Sequence, residues 1–495
     1  MEFSLLYTSL SLLVFIIAFK FLLQTRSSKH KNHPPSPRAL PIIGHLHLLK
    51  EPLHRTLQAL SEKHGSVFSL RFGSRNVIVV SSSSAAEECL NKNDIVFANR
   101  PRLIMGKYLG YNNTTIALSP YGDHWRNLRR LSSVEIFSSS RLNMFLGIRR
   151  DEINILLEKL YGVSSNSTGF AKVELRPMFT ELTFNIIMRM VAGKRYYGGE
   201  DDGEEAREFR ELIKEMFEYG GASNPADFIP ILEWFDYQGL VKRAVSIGKK
   251  TDSFLQGLID EHRKAAAADE SRNTMISHLL VLQQSQPDYY TDEIIKGLII
   301  VNTSAVTLEW AMSNLLNHPE MLNKARTEIE SVLDPDQLMD EPDLSKLHYL
   351  QNIISETLRL YPAAPLLVPH LSSDDCIVEG YHIPRDTMLF VNAWAIQRDP
   401  KYWDDATSFK PERFKSGEPT GYKLMPFGLG RRACPGVGLA QRVVGFTLGS
   451  LIQCFDWERV YGKEVDMSEG KGLTMPRAVP LEAMCKARPI LNKRS

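Results

Sequence analysis

Ten residues near the C-terminus, Phe427-Gly428-Leu429-Gly430-Arg431-Arg432-Ala433-Cys434-Pro435-Gly436, constrain this chain more than any other segment. A thiolate held on iron needs glycines beside it, so that backbone N–H groups can approach the sulfur. It also needs a cation for the anionic edge of a cofactor and an apolar wall that keeps water away. Gly430 and Gly436, Arg432 and Phe427 supply these types in one stretch. The apolar run Val437–Ile452 that follows reads as a helix, whose N-terminus would face the sulfur and favour its anionic form.

The other cysteines do not compete for this role. The five, at 89, 376, 434, 454 and 485, are scattered, odd in number and free of any CxxC pair. That argues against a disulfide framework or a Cys-rich zinc site. With 59 Lys plus Arg against 58 Asp plus Glu, the formal net charge is +1. This balance gives no general attraction to nucleic acid. The 495 residues, 43% hydrophobic and 24% charged, have ordinary globular composition.

At the other end, the 21 residues Phe3–Leu23 carry a single charge, Lys20. At about 1.5 Å per residue such a helix spans the roughly 30 Å hydrocarbon core of a bilayer. Arg26, Lys29 and Lys31 follow it, and positive charge after an apolar run predicts an anchor with the remaining chain in the cytosol. No small-x-small cleavage pattern precedes the basic run, so a removed signal peptide is disfavoured. Pro34, Pro35, Pro37 and Pro41 then predict a stiff extended strut. The expected organisation is an anchor over 1–25, a basic and Pro-rich hinge over 26–45, and a catalytic body over 46–495. In a cytosolic body the sequons at Asn112, Asn113, Asn166 and Asn302 carry no glycan.

Within the body, Val67–Phe72 and Asn76–Val80 flank Gly73-Ser74-Arg75 and predict a hairpin. Beyond about residue 120 the pattern is helical, over Asp151–Leu160, Glu204–Tyr219, Val241–Ala268 and Met321–Val332. Asp292–Asn317 reads as one long apolar helix. Short strands are expected around Cys376–Ile383 and Met388–Asn392. Without internal repeats or a clear linker after residue 60, these predict one large domain, mainly α with small β-sheets.

The loop around Cys434 resembles the haem-binding loop of cytochrome P-450 enzymes, Phe-x-x-Gly-x-Arg-x-Cys-x-Gly, at every fixed position. Other segments resemble the same family. Glu356-Thr357-Leu358-Arg359 is similar to its Glu-x-x-Arg, with the two side chains three apart on one helix face. Pro411-Glu412-Arg413-Phe414 is similar to its Pro-Glu-Arg-Phe segment, which implies a buried charge triad of Glu356, Arg359 and Arg413. Trp125-Arg126-Asn127-Leu128-Arg129 resembles the helix whose cations meet haem propionates. The resemblance thus implies haem b (iron protoporphyrin IX) ligated by Cys434, with Phe427, Gly436, Arg432, Arg129, Trp125 and His370 around it. For His370, an ordinary core or surface histidine is an equal reading.

By the same resemblance the chain is a haem-thiolate monooxygenase of the endoplasmic reticulum membrane. The cysteinate favours O–O cleavage, and the protein supplies pocket, axial ligand and proton path. No GxGxxG fingerprint is present, which fits electrons arriving from NADPH through a separate cytochrome P-450 reductase. Membrane lipid and a small apolar phenolic are the other expected partners, with no nucleic acid.

One segment departs from the family. Its central helix carries Ala/Gly-Gly-x-Asp/Glu-Thr-Thr/Ser, and here the run reads Val301-Asn302-Thr303-Ser304. Thr303 and Ser304 match. Asn302 stands in place of the acid and cannot release and regain a proton as a carboxyl does. The helix is also about six residues short, which would remove roughly 9 Å and rotate one half by about 240°. Two readings follow, an active hydroxylase and a haem-thiolate protein with impaired or absent oxygen activation.

In Leu338-Met339, Leu366-Leu367-Val368-Pro369-His370 and Leu473-Thr474-Met475-Pro476 the chain resembles plant microsomal enzymes related to isoflavone 2'-hydroxylases, which implies an isoflavone or another flat phenolic as substrate. Candidate pocket residues are Leu103, Met105, Ala364, Leu366, Leu367, Val368, Thr474 and Met475.

Overall fold

The computed structural model describes residues 32–494 except 199–202, 222–223, 269–272, 299–302, 418–420 and 473. The proposed anchor over 1–25 and the start of the hinge lie outside the described residues. Among the described residues no helix is long and apolar enough to cross a membrane.

The architecture is mainly helical with three small sheets. Strands β1 (Val67–Phe72) and β2 (Arg75–Val80) form the expected hairpin, pairing Val67 with Val80 around a two-residue Gly73-Ser74 turn. Strands β3 (Ala171–Glu174), β4 (His370–Leu371), β5 (Cys376–Val378), β6 (Tyr381–Ile383), β7 (Met388–Val391), β8 (Phe455–Glu458) and β9 (Glu482–Ala487) complete the set. The first sheet has the order β1-β2-β7-β4, with β7 parallel to β2 and antiparallel to β4. The others are β3-β9-β8 and the hairpin β5-β6.

The helices that build the site are α1 (Leu53–His64), α2 (Asp123–Leu131), α3 (Leu146–Ser165), α4 (Leu175–Ala192), α5 (Leu240–Ala267), α6 (Asp292–Leu298), α7 (Ser304–Asn317), α8 (Pro319–Val332), α9 (His348–Leu360) and α10 (Val437–Cys454). Their apolar faces form one continuous core. Helix α10 is apolar almost all round, which marks a central helix rather than a surface one, and from Val443 to Cys454 every residue is buried. Pro319 opens α8, where its missing N–H costs nothing.

Within the expected helix over Asp292–Asn317 the described residues form two helices, α6 and α7. Thr303, which precedes α7, has φ −113° and ψ 0°, outside helical geometry. Each piece is anchored to a different neighbour. In α7, Trp310 is fully buried, stacks on Tyr361 at 4.0 Å and 10°, and donates to the Met475 carbonyl at 2.8 Å. Glu309 beside it accepts from Arg176 at 3.0 Å and from the Leu481 N–H at 2.9 Å. In α6, Lys296 pairs with Asp252 and Asp292 pairs with Arg263, both on α5.

Candidate active site

The Cys434 loop is shaped by left-handed backbone. Gly428 and Gly430 have φ of +67° and +68°. A Cβ on Gly430 would stand 2.5 Å from the Leu90 carbonyl oxygen and 2.7 Å from Asp94 Oδ1, so only glycine fits. Gly430 therefore serves the turn, and the glycine at the sulfur is Gly436, where an added Cβ would lie 3.8 Å from Sγ. The Cys434 N–H donates back to the Phe427 carbonyl at 2.8 Å, closing the loop on itself. Burial pushes the Cys434 thiol up, while the Gly436 backbone N–H and the Arg129 guanidinium favour the thiolate. What surface Cys434 retains opens into an internal cavity of about 540 Å³.

Three guanidiniums line that cavity. Arg129 of α2 donates to the Ala433 carbonyl at 2.5 Å. Arg432 lies over the Trp125 ring at 4.4 Å and donates to the carbonyls of Ala98, Ile116 and Ser119. Arg100 donates to the carbonyls of Ala117, Val368 and Pro369. Burial, with mutual repulsion, lowers Arg100 to about 9 and Arg432 to about 10. Burial lowers Arg129 as well. Each bonds to backbone carbonyls, and among the described residues no Asp or Glu lines the cavity. Buried cations without carboxylate partners mark a place built for an anion.

His370 sits on β4 at the same wall, 5% exposed, with Nδ1 donating to the Phe97 carbonyl at 2.7 Å. Burial and the neighbouring Arg100 hold it well below the usual histidine range. It is a neutral ring, so the cations at this wall are Arg100, Arg129 and Arg432. Trp125 is buried and donates from its indole N–H to the Ile116 carbonyl at 3.1 Å, which places its ring under Arg432.

Sequence reasoning missed Arg100. Its signal was the segment Asn99-Arg100-Pro101-Arg102, whose two arginines look alike until β4 and the Cys434 loop fold over one of them.

Of the candidate pocket residues, Met105, Ala364, Leu367 and Val368 line the cavity, as do Phe427, Gly436 and Thr303. Leu103, Leu366, Thr474 and Met475 do not. Leu103 precedes the short helix Ile104–Tyr108 as its cap. Leu366 packs on the hairpin core with Phe72 and Phe390. Met475 is 1% exposed and packs against Trp394, Ala395 and Tyr361. Ile186, Ile187, Leu109, Met216 and Leu255 line the cavity instead. Asn302 lies outside the described residues.

Behind the cavity, Arg359 and Glu356 on α9 are fully buried and form a bidentate pair at 2.6 and 2.7 Å. Arg413 adds a third contact at 3.2 Å to the same carboxylate, which also accepts from the Lys410 N–H at 2.9 Å. The remaining Arg359 donors reach the carbonyls of Gln397, Ala406 and Ser408. Every lone pair and N–H of consequence is matched, the condition under which a buried ion pair is tolerated. The triad clamps α9 to the segment 397–413.

Comparison with known proteins agrees with this architecture. A family model described as cytochrome P450 matches residues 34–480. Cytochrome P450 81Q32 of Catharanthus roseus is 59% identical over 99% of this chain and 98% of its own. Isoflavone 3'-hydroxylase of Medicago truncatula is 57% identical over 99% of both chains, and isoflavone 2'-hydroxylase of Glycyrrhiza echinata is 54% identical over 98% of both. A zebrafish cytochrome P450 solved with progesterone superposes with a TM-score of 0.75 at 24% identity, covering 89% of this chain and 100% of that one. The chain belongs to the cytochrome P450 family, a class of haem-dependent monooxygenases.

The residues present fit that cofactor. A lone cysteine with a donor N–H at its sulfur, three cations without counter-ions and an apolar remainder match a thiolate-ligated, dianionic, otherwise apolar disc.

Proposed function

We propose that this chain hydroxylates an isoflavone or a comparable flat phenolic, using O2 and electrons passed from NADPH by a separate cytochrome P-450 reductase. The observation that carries the reading is one cavity with Cys434 and three unpaired guanidiniums on part of its wall and Met105, Leu109, Ile187, Leu255 and Leu367 on the rest. Cys434 Sγ would ligate the iron, and Arg100, Arg129 and Arg432 would receive the two propionates. Bound haem supplies the oxygen-activating chemistry. The apolar wall excludes water and packs against a flat ring. Two relatives carry names of isoflavone hydroxylases, which supports this substrate class.

The body would sit in the cytosol on the endoplasmic reticulum membrane, held by residues 1–25. An exposed apolar patch supports this seat. Trp234 is 85%, Phe235 76% and Ile42 67% exposed. Their two segments meet at the β1–β2 turn, where the Gly73 N–H donates to Ile43 and the Ser74 N–H to Phe228. Exposed aromatics of this kind suit an interfacial contact.

The break at Thr303 favours a second reading, haem binding with weakened proton delivery. Thr303 lines the cavity but caps α7 instead of lying within a helix. Microsomes holding the chain, reductase, NADPH and an isoflavone separate the two. Hydroxylated isoflavone establishes the first reading. NADPH consumed with only peroxide formed establishes the second, and the absence of a haem spectrum removes both.

A further inference from the structure

A fourth cation in the cavity is left unused by the cofactor site. Lys296 of α6 is 5% exposed and lines the cavity. Lysine is almost never this buried unless paired. Its partner is Asp252 of α5, at 2.5 Å, whose side chain is 47% exposed and lies outside the lining. An ammonium has three N–H donors and Asp252 takes one. Among the described residues no other acceptor is paired with Lys296.

Tyr111 stands beside it. The Lys296 ammonium lies 6.0 Å from the Tyr111 ring centroid, and both residues line the cavity. The Tyr111 hydroxyl is buried, and the carboxylate within its reach is Asp252, the partner of Lys296. Burial and Asp252 push the Tyr111 ionisation up, so the hydroxyl stays protonated. Its placement is backed by the local chain. Tyr111, Asn112 and Asn113 are successive left-handed residues at φ +48°, +52° and +62°. Gly297 lets α6 approach closely, since a Cβ there would meet Thr115 Cγ2 at 3.3 Å. Left-handed backbone and the spare donors of Lys296 converging on one spot of an apolar cavity mark a ligand contact.

The geometry points to Lys296 and Tyr111 as the contacts that select substrates by an acidic ring hydroxyl. The Lys296 ammonium only donates, and the Tyr111 hydroxyl can donate or accept, so the complement is a ligand oxygen. A phenolic oxygen beside an ammonium gains further, because the cation favours its ionised form. A methyl ether offers a weaker acceptor, cannot ionise and adds bulk. The inference rests on reading the cavity as a phenolic site and adds what anchors the phenol.

The test is equilibrium dialysis of the holoenzyme with a hydroxyisoflavone and its methyl ether, which needs no turnover. The unaltered chain should bind the free hydroxyl at least roughly tenfold more tightly, the worth of one charge-assisted hydrogen bond. Lys296→Met keeps length and removes the charge, and should bring the two ligands within about twofold. Tyr111→Phe removes one oxygen and should reduce the preference in the same direction, which serves if Lys296→Met fails to accumulate. A preference unchanged in either folded variant, or no preference in the unaltered chain, overturns the inference. Selective binding without hydroxylation would sink the proposed function and leave this assignment. Hydroxylation with equal affinity for both ligands would do the reverse.

Discussion

The Arg129 guanidinium donates to the carbonyl of Ala433, the residue immediately before Cys434. Through this bond α2 fixes the backbone that aims the sulfur, while the same cation faces the cavity. Arg129→Gln should therefore act twice, loosening the loop and removing a charge that an anionic cofactor edge meets. We expect haem loss to an apo-globin acceptor to accelerate on the order of tenfold, as for one charge-assisted hydrogen bond. An unchanged rate would remove Arg129 from the cofactor site.

Cys434→Ala should yield protein of normal helical circular dichroism that lacks the thiolate-type Soret band of the reduced carbon-monoxide complex. Cys89, Cys454 and Cys485 are buried elsewhere, and none lines the cavity. Retention of that band in Cys434→Ala would mean that another group holds the iron.

Glu356→Ala leaves Arg359 as a buried, uncompensated cation, with Arg413 beside it. Breaking such a pair costs about 3–5 kcal/mol. The variant should melt well below the parent and accumulate poorly as holoenzyme. Glu356→Gln, which keeps shape and some hydrogen bonding, should be milder. Equal melting temperatures for the parent and Glu356→Ala would contradict the structural role given to the triad.

A second acidic anchor governs the response to pH. Glu469 joins α1 to the C-terminal turn through His54 and Arg55, each at 2.7 Å, and accepts from the Trp394 indole at 3.1 Å. Hydrogen bonds from His54 and Arg55 outweigh its burial and hold it down at about 2, against an ordinary 4.5. A depressed carboxyl stabilises the fold above its unfolded value and loses that contribution as pH falls toward the folded one. The window is therefore about pH 4.5 down to 2. Allowing for solvent screening, the term is on the order of 2 kcal/mol. Glu469→Gln should flatten that limb of an acid-unfolding curve and leave its upper part unaltered in slope.

Much of the fold could be read before folding, and the reasons are local. The β1–β2 hairpin announces itself by two short runs rich in Val, Ile and Phe on either side of Gly73-Ser74. The Cys434 loop and the triad depend on residue types a few positions apart. What stayed hidden depends on distant packing. The non-helical Thr303 has no proline or glycine beside it to signal it. Arg100 becomes a site residue only when Val368 and Pro369 bring their carbonyls to it. Met475, which looked like pocket, turns inward because Trp310 claims its carbonyl.

Three guanidiniums that share one chamber and lack counter-charges carry a consequence for biogenesis. An empty chamber gathers repelling positive charge at the junction of α2, β4 and the Cys434 loop, and only a dianion relieves it. Loading with haem should accordingly slow cleavage at this junction by an added protease relative to the haem-free chain.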